Sequence, residues 1–185
     1  MTDPSTELPS RKRITILTYG SRGDVQPFIA LGAGLQRSGH AVRLTAPAQF
    51  GPMAEAHGLD FEPIPASADE LVLGFADRAG LRWTRMVAEM ARHALPRAKA
   101  VFRAAAMASR DADLIVHSFL MTDAGHTLAD LRGVPDVSGQ FFPVFLPTAA
   151  FPVVAMPNLP FGTAYRRATH LISNAVFRYG ARLLY

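Results

Sequence analysis

Apolar positions along this chain follow two rhythms, and the switches between them outline its elements. Ile14, Ile16 and Leu17 form a short apolar run suited to a buried parallel strand. From Val25 onward, Phe28, Leu31 and Leu35 recur at helical spacing, and small Gly32 and Ala33 let that helix approach a sheet closely. Gly20 and Gly23 permit a tight turn between the two. Ser38-Gly39-His40 reads as a helix stop, Ala41 to Ala46 as a second strand, and Gln49 to His57 as a short helix closed by Gly58. A third strand follows and ends at Pro63 and Pro65. Strand and helix alternate, so the pattern predicts right-handed crossovers and an α/β fold with a doubly wound, Rossmann-like parallel sheet.

The middle of the chain is less regular. Leu71, Val72, Leu73 and Phe75 make a small apolar cluster within residues 66–80. An Ala- and Arg-rich stretch from Leu81 to Ala108 then carries one apolar stripe at Trp83, Met86, Val87 and Met90. A second stripe contains Val101, Phe102 and Met107, with Pro96 breaking the helix between them. Leu114-Ile115-Val116 reads as a fourth strand ending in His117-Ser118. Thr122 to Arg132 reads as a helix, Gly133-Val134-Pro135 as a turn and Asp136 to Gln140 as a fifth strand. The expected strand order is 3-2-1-4-5.

From Val137 to Tyr165 there is no charged residue. Pro143, Pro147, Pro152, Pro157 and Pro160 would break a membrane-spanning helix, so this stretch predicts an extended apolar loop rich in Phe141, Phe142, Phe145 and Phe151. Helical spacing resumes over residues 161–185 through Leu171, Ile172, Val176 and Phe177.

Composition narrows the picture. A chain of 185 residues, 49% hydrophobic and 18% charged, has the size and apolar content of one globular domain, with residues 1–13 as a flexible lead and 14–185 as the folded unit. The absence of cysteine excludes disulfides and thiolate metal sites, and no metal-ligand cluster is visible. Residues 1–13 contain no apolar core of a secretory signal, which together with the cysteine count predicts a cytoplasmic protein. Basic residues exceed acidic ones by four. No acid follows Asp136, whereas Arg166, Arg167, Arg178 and Arg182 do. RNA motifs and stacking platforms are missing, so nucleic acid is not an expected partner. Solvated helix faces explain such a distribution, and peripheral contact with an anionic membrane is the other reading.

The loop after the first strand holds the candidate chemistry. At the carboxyl edge of an open α/β sheet, ligands meet loop N–H groups and helix N-termini. Asp24 sits there, and from position alone reads either as the helix cap, with Pro27 in the first turn, or as a general base. A dinucleotide fingerprint would need glycine where Arg22 stands and an acid after the second strand, where Leu44-Thr45-Ala46-Pro47 has none. Both departures argue against an NAD-dependent enzyme.

Gly20-Ser21-Arg22-Gly23-Asp24-Val25-Gln26-Pro27, followed by Phe28-Ile29-Ala30-Leu31, resembles the opening of glycosyltransferases with two facing Rossmann-like domains, the GT-B type. The most similar families glycosylate sterols, rhamnolipids, carotenoids, macrolides and glycopeptides. Leu131-Arg132-Gly133-Val134-Pro135 resembles the same family's segment before its fifth strand. The resemblance implies that Asp24 is the base that deprotonates an acceptor hydroxyl in an inverting transfer. It implies that Ser21, Arg22 and Gly23 face the donor diphosphate. It makes His117 a partner to Asp24 or a contact to the acceptor, since related enzymes carry a histidine after strand one and an aspartate after strand four. Phe75, Trp83, Met86, Phe142 and Phe145 become candidates for contact with an apolar or lipid-like acceptor.

The family's second domain binds the nucleotide-sugar through a His- and Gly-rich diphosphate motif. No stretch here matches it, and Gly125-His126-Thr127 stands alone. The expectation is therefore the acceptor-binding half of the enzyme, working with a donor-binding domain that is fused or separate. No cofactor is implied beyond the nucleotide-sugar co-substrate. The alternative is a non-catalytic lipid-binding or membrane-recruiting subunit.

Overall fold

The computed structural model describes residues 10–65, 98–141, 146–153 and 156–180. Strand β1 (Arg13–Leu17) leads into helix α1 (Arg22–Arg37), strand β2 (Ala41–Pro47) and a short helix α2 (Gly51–Glu55). Strand β3 (Asp60–Ile64) follows. Helix α3, described over residues 98–108, precedes strand β4 (Leu114–His117), helix α4 (Thr122–Arg132), strand β5 (Asp136–Ser138) and helix α5 (Gly162–Gly180). The five strands form one parallel sheet in the order β3-β2-β1-β4-β5, the order expected from the sequence.

Side-chain parity along the strands sorts the core into two layers. Ile14 and Ile16 of β1, Val42 and Leu44 of β2 and Val116 of β4 face α1, where they bury Val25, Phe28 and Ile29. Leu17 of β1 and Ile115 of β4 point to the other side and pack with Ala105 of α3 and Ala124 and Leu128 of α4. Each such large side chain removed from water contributes roughly 1.5–3 kcal/mol. Gly32 lets α1 lie close to the sheet, because a Cβ there would stand 3.0 Å from Leu59 and 3.4 Å from Val42.

Some boundaries differ from the sequence pattern. The helix expected from Gln49 begins as a 3-10 turn at Ala48–Phe50, with Pro52 in the first turn of α2. The fifth strand is three residues long rather than five. Helix α1 starts at Arg22, so Pro27 lies in its second turn rather than its first. There it removes the bond its N–H would make to Gly23, on a side where both residues are exposed. The cluster around Phe75 and the helical stretch carrying Trp83, Met86 and Pro96 lie outside the described residues, as do Phe142 and Phe145.

The amino edge of the sheet is tied by ion pairs. Arg43 bridges Asp60 at 2.7 Å and Asp111 at 2.8 Å, and also donates to Ala108 O. Arg13 grips Asp113 through its backbone N–H (2.8 Å) and its guanidinium (2.9 Å). At the C-terminal end, helix α5 is held by the segment before it. Val153 N donates to Thr169 Oγ1 at 3.0 Å, Arg166 donates to Ala150 O, and Tyr165 OH donates to Pro157 O. Among the described residues no helix is long and apolar enough to cross a membrane.

The Arg13 guanidinium and backbone N–H together hold the Asp113 carboxyl down to about 2. A depressed carboxyl stabilises the fold above the ordinary carboxylate range near 4 and loses that contribution as pH falls toward 2. Asp113→Asn should therefore lower the melting temperature at neutral pH. The gap to the unmodified protein should shrink through the acid range and close near pH 2, as followed by circular dichroism. A gap independent of pH would mean that packing, and not the charge pair, sets the effect.

Candidate functional site

The strands end at one edge, and the loop from Thr18 to Ser21 crosses it. Thr18 is tied there by its N–H to Thr45 O (2.9 Å) and by its hydroxyl to Asp24 O (3.1 Å). Gly20 then adopts φ +135°, a conformation L side chains rarely take. A Cβ on Gly20 would also strike the Asp24 carboxylate, reaching within 2.8 Å of its Cγ. The first glycine of the motif is thus required twice, by the backbone and by the side chain folded over it.

Ser21, extended at φ −76° and ψ 177°, is the residue that caps α1, and Asp24 is the third helical residue. Asp24 Oδ2 accepts from both the Ser21 N–H and the Ser21 hydroxyl, each at 2.8 Å. The carboxylate therefore takes the place of the glutamate in a capping box, reaching back to satisfy a donor that the helix leaves orphaned. Its charge complements the positive end of the helix. Oδ1 makes no hydrogen bond among the described residues. Asp24 thus does part of a capping job without being the cap itself. Ser21 spends both its donors on Asp24, which leaves it none to offer a phosphate. Arg22 and Gly23 are exposed, and the Arg22 Nε donates to Gln26 at 3.1 Å.

A small groove opens beside Asp24, lined by Tyr19, Ser118, Leu120, Gln140 and Phe141. Phe28 of α1 supports its far wall. The Phe28 ring lies where a Cβ on Gly139 would be, at 2.9 Å, and meets the Phe141 ring edge-on at 5.0 Å between centroids. Gly139 N also donates to His117 O at 2.9 Å, which continues the sheet one step beyond β5. Phe141 and Leu120 are 51% and 56% exposed, so the groove has a polar floor and an apolar rim. Neither Ser118, Gln140 nor Leu120 was singled out by the sequence.

His117 stands at the same edge as Asp24, its backbone level with Leu17 of β1. Its ring, however, shares the parity of Ile115 and turns toward α4. It is 1% exposed, and its Nε2 donates to Asp136 Oδ2 at 2.9 Å. The other Asp136 oxygen lies 3.4 Å from His126 Nδ1. Burial pushes the Asp136 carboxyl up, but hydrogen bonds from the two histidines outweigh it and leave the group below its ordinary value. Burial pushes the nearby Asp123 carboxyl up, against the lowering pull of His117 and His126. His117 therefore partners Asp136, not Asp24, and does not line the groove. Gly125 admits the ring, since a Cβ on it would come within 2.6 Å of His117 Cγ. Gly125 and His126, which look isolated in the sequence, both serve this arrangement.

Phe75, Trp83, Met86, Phe142 and Phe145 lie outside the described residues. Among the described residues no group of three or more acidic or histidine side chains could hold a metal ion.

Comparison with known proteins bears on this edge of the sheet. Residues 14–130 match the glycosyltransferase family 28 N-terminal domain. The sterol 3-beta-glucosyltransferase of Emericella nidulans is 33% identical over 174 residues, covering 89% of this chain and 12% of the relative. That of Penicillium rubens is 31% identical over 180 residues, with 91% and 12% covered. The chain thus spans about an eighth of the length of these relatives. Among solved structures, the glycosyltransferase SsfS6 of Streptomyces sp. SF2575 aligns with TM-score 0.55 at 23% identity, covering 78% of this chain and 42% of that one. The calicheamicin glycosyltransferase CalG4 aligns with TM-score 0.54 at 21% identity, covering 92% and 41%. The sheet and its helices are thus Rossmann-like, of the kind found in one half of GT-B glycosyltransferases.

The fit of His117 under α4 can be tested with two glycines on that helix. Gly125→Ala should destabilise the fold by about 1–3 kcal/mol, because the new methyl overlaps a buried ring that cannot retreat. Gly133→Ala, with φ +65° but nothing within 4 Å of its Cβ, should cost about 1–2 kcal/mol through backbone strain alone. In urea melts, a second substitution, His117→Ala, should relieve the Gly125→Ala penalty and leave the Gly133→Ala penalty unchanged.

Proposed function

Since the chain belongs to glycosyltransferase family 28 through that family's N-terminal domain, we propose that it is the acceptor-binding half of an inverting glycosyltransferase. In this reading a sugar passes from a nucleotide-sugar to a hydroxyl of an apolar, lipid-like acceptor, and Asp24 is the general base. The observation that carries it is the divided Asp24 carboxylate. Ser21 holds Oδ2, which fixes the side chain, while Oδ1 is left to accept a proton beside a groove with an apolar rim. The sterol 3-beta-glucosyltransferase relatives favour a sterol as the acceptor.

The acceptor's apolar body rests against Leu120 and Phe141, and its hydroxyl points at Asp24. As the oxygen attacks the anomeric carbon, Asp24 Oδ1 takes the proton, and the bond to the nucleoside diphosphate breaks with its electron pair on the leaving group. Attack from the face opposite the leaving group inverts the centre. The donor is held chiefly by a second, donor-binding domain, fused or separate. On this side of the cleft Arg22 is an exposed cation, and the N–H groups of Arg22 and Gly23 lie in a first helical turn with no carbonyl to meet. Ser21 serves the reaction through Asp24 rather than by touching phosphate. His117 and Asp136 act as positioning residues that pin β5 and the Gly139–Phe141 segment to the floor of the groove. The chain works in the cytoplasm, with peripheral membrane contact through the acid-free region after Asp136.

A non-catalytic lipid-binding subunit is the second reading. It draws on the exposed Phe151, Phe161, Leu171 and Ile172 in that same region. Substitution of Asp24 separates the two. In the complete enzyme, Asp24→Asn keeps an oxygen for the Ser21 donors, so stability should change by less than ~1 kcal/mol. An amide cannot take the acceptor's proton, so turnover should fall ~10²–10⁴-fold while acceptor binding survives. Near-normal turnover by a folded Asp24→Asn enzyme would remove Asp24 from the chemistry and favour the second reading.

A further inference from the structure

Two polar atoms in the groove beside Asp24 have no hydrogen-bond partner among the described residues, Ser118 Oγ and Gln140 Oε1. Ser118 is 3% exposed, and its backbone is held from both sides. Its N–H donates to Leu17 O at 2.9 Å, and its carbonyl accepts from Met121 N at 3.0 Å and from the Thr122 hydroxyl at 3.3 Å. Ser118 stands at the N-cap of the turn Phe119–Met121, yet its side chain makes no capping bond. A hydroxyl withdrawn from water and left unpaired has an unmet hydrogen-bonding demand. Thr45 Oγ1 is the other buried hydroxyl in this condition among the described residues, and it does not line the groove.

The two groove atoms differ in what they can do. A carbonyl oxygen such as Gln140 Oε1 only accepts, whereas a serine hydroxyl also donates. The hydroxyl of an acceptor molecule has a single proton, which in the proposed reaction goes to Asp24 Oδ1. Of the two lone pairs on its oxygen, one attacks the anomeric carbon and the other can receive a hydrogen bond. Of the two unpaired atoms, Gln140 Oε1 cannot supply that bond and Ser118 Oγ can. We propose that Ser118 donates its Oγ–H to the acceptor's hydroxyl oxygen, and so positions that oxygen between Asp24 and the sugar. This rests on the reading of the groove as the acceptor site. Rotation about the Cβ–Oγ bond is all the side chain needs to turn its hydrogen toward the incoming oxygen. No covalent bond to Ser118 forms: it keeps its own proton throughout, and the acceptor's proton ends on Asp24.

The test measures binding of cholestanol and cholestane, one ring system with and without its hydroxyl, by displacement of a fluorescent sterol delivered from cyclodextrin. The unmodified chain should bind cholestanol more tightly than cholestane. Ser118→Ala should narrow that preference by about three- to tenfold, the worth of one neutral hydrogen bond, and leave cholestane binding as it was. Ser118→Thr, which keeps the hydroxyl, should retain the preference. Without sterol, Ser118→Ala should melt at the same temperature or higher, because it deletes an unpaired buried group. A lower melting temperature would reveal a structural serine and overturn the inference. An undiminished preference in folded Ser118→Ala, or equal binding of both sterols by the unmodified chain, would also overturn it while leaving the acceptor groove in place. Binding of neither sterol by the folded, unmodified chain would instead remove the acceptor reading itself, and the inference with it.

Discussion

A carboxylate folded back over a glycine sets the geometry of this molecule's carboxyl edge. Asp24 occupies the space that a side chain on Gly20 would need, and its Oδ2 takes both donors of Ser21. The turn, the cap and the carboxylate therefore fix one another. Substituting any of the three disturbs the other two, since the positive φ at Gly20 and the two bonds to Ser21 are what start α1 at Arg22. That starting point then determines the phase of the helix. Val25, Phe28 and Ile29 face the sheet because α1 begins where it does, and Gly32 closes the distance one turn later.

Phe28 carries the consequence across the sheet. Its ring fills the space over Gly139 and meets Phe141, so the helix that follows β1 supports the loop that follows β5. A second strut reaches the same loop from the opposite face, where Asp136 accepts from His117 and the Gly139 N–H bonds back to His117 O. The three-residue edge strand β5 is short for a central role, and these two struts replace the ladder bonds it lacks. The groove is thus walled by segments held from both layers of the fold, which limits how far its polar floor can shift when a ligand enters.

The sheet order and the first two crossovers were legible in the sequence because parity and glycine placement are local signals. Ile14, Ile16 and Leu17 announce a strand, and Gly39 and Gly58 mark helix ends at positive φ. The base candidate was legible too, since the whole eight-residue motif is contiguous. What escaped was the capping assignment, because a carboxylate at the third helical position looks in sequence like one at the cap. The His117–Asp136 bond also escaped, since it joins residues 19 apart whose pairing depends on the register of β4 and β5. One clue went unused. His117 shares parity with Ile115, which places both on the α4 side, and a glycine in the interior of a helix, such as Gly125, usually has a packing reason. Ser118 and Gln140 left no trace in the sequence, because lacking a partner is a property of three dimensions alone.

In the proposed reaction the same carboxylate serves folding and chemistry, because its two oxygens face different tasks. A base in free rotation would lose orientational entropy on binding its substrate, and immobilising a side chain rich in rotamers costs about 0.5–1.5 kcal/mol. Asp24 has already given up that freedom to close the turn with Ser21, so little remains to be lost when a hydroxyl arrives at Oδ1. The groove continues the same logic. Side-chain oxygens of Asp24, Ser118 and Gln140 line it, and those of Ser118 and Gln140 have no hydrogen-bond partner among the described residues. An apolar rim of Leu120 and Phe141 borders them. A polar sugar alone would leave that rim exposed, and a pure hydrocarbon would leave the floor unpaired. The hydroxylated, lipid-like acceptor proposed for this groove would meet both surfaces at once.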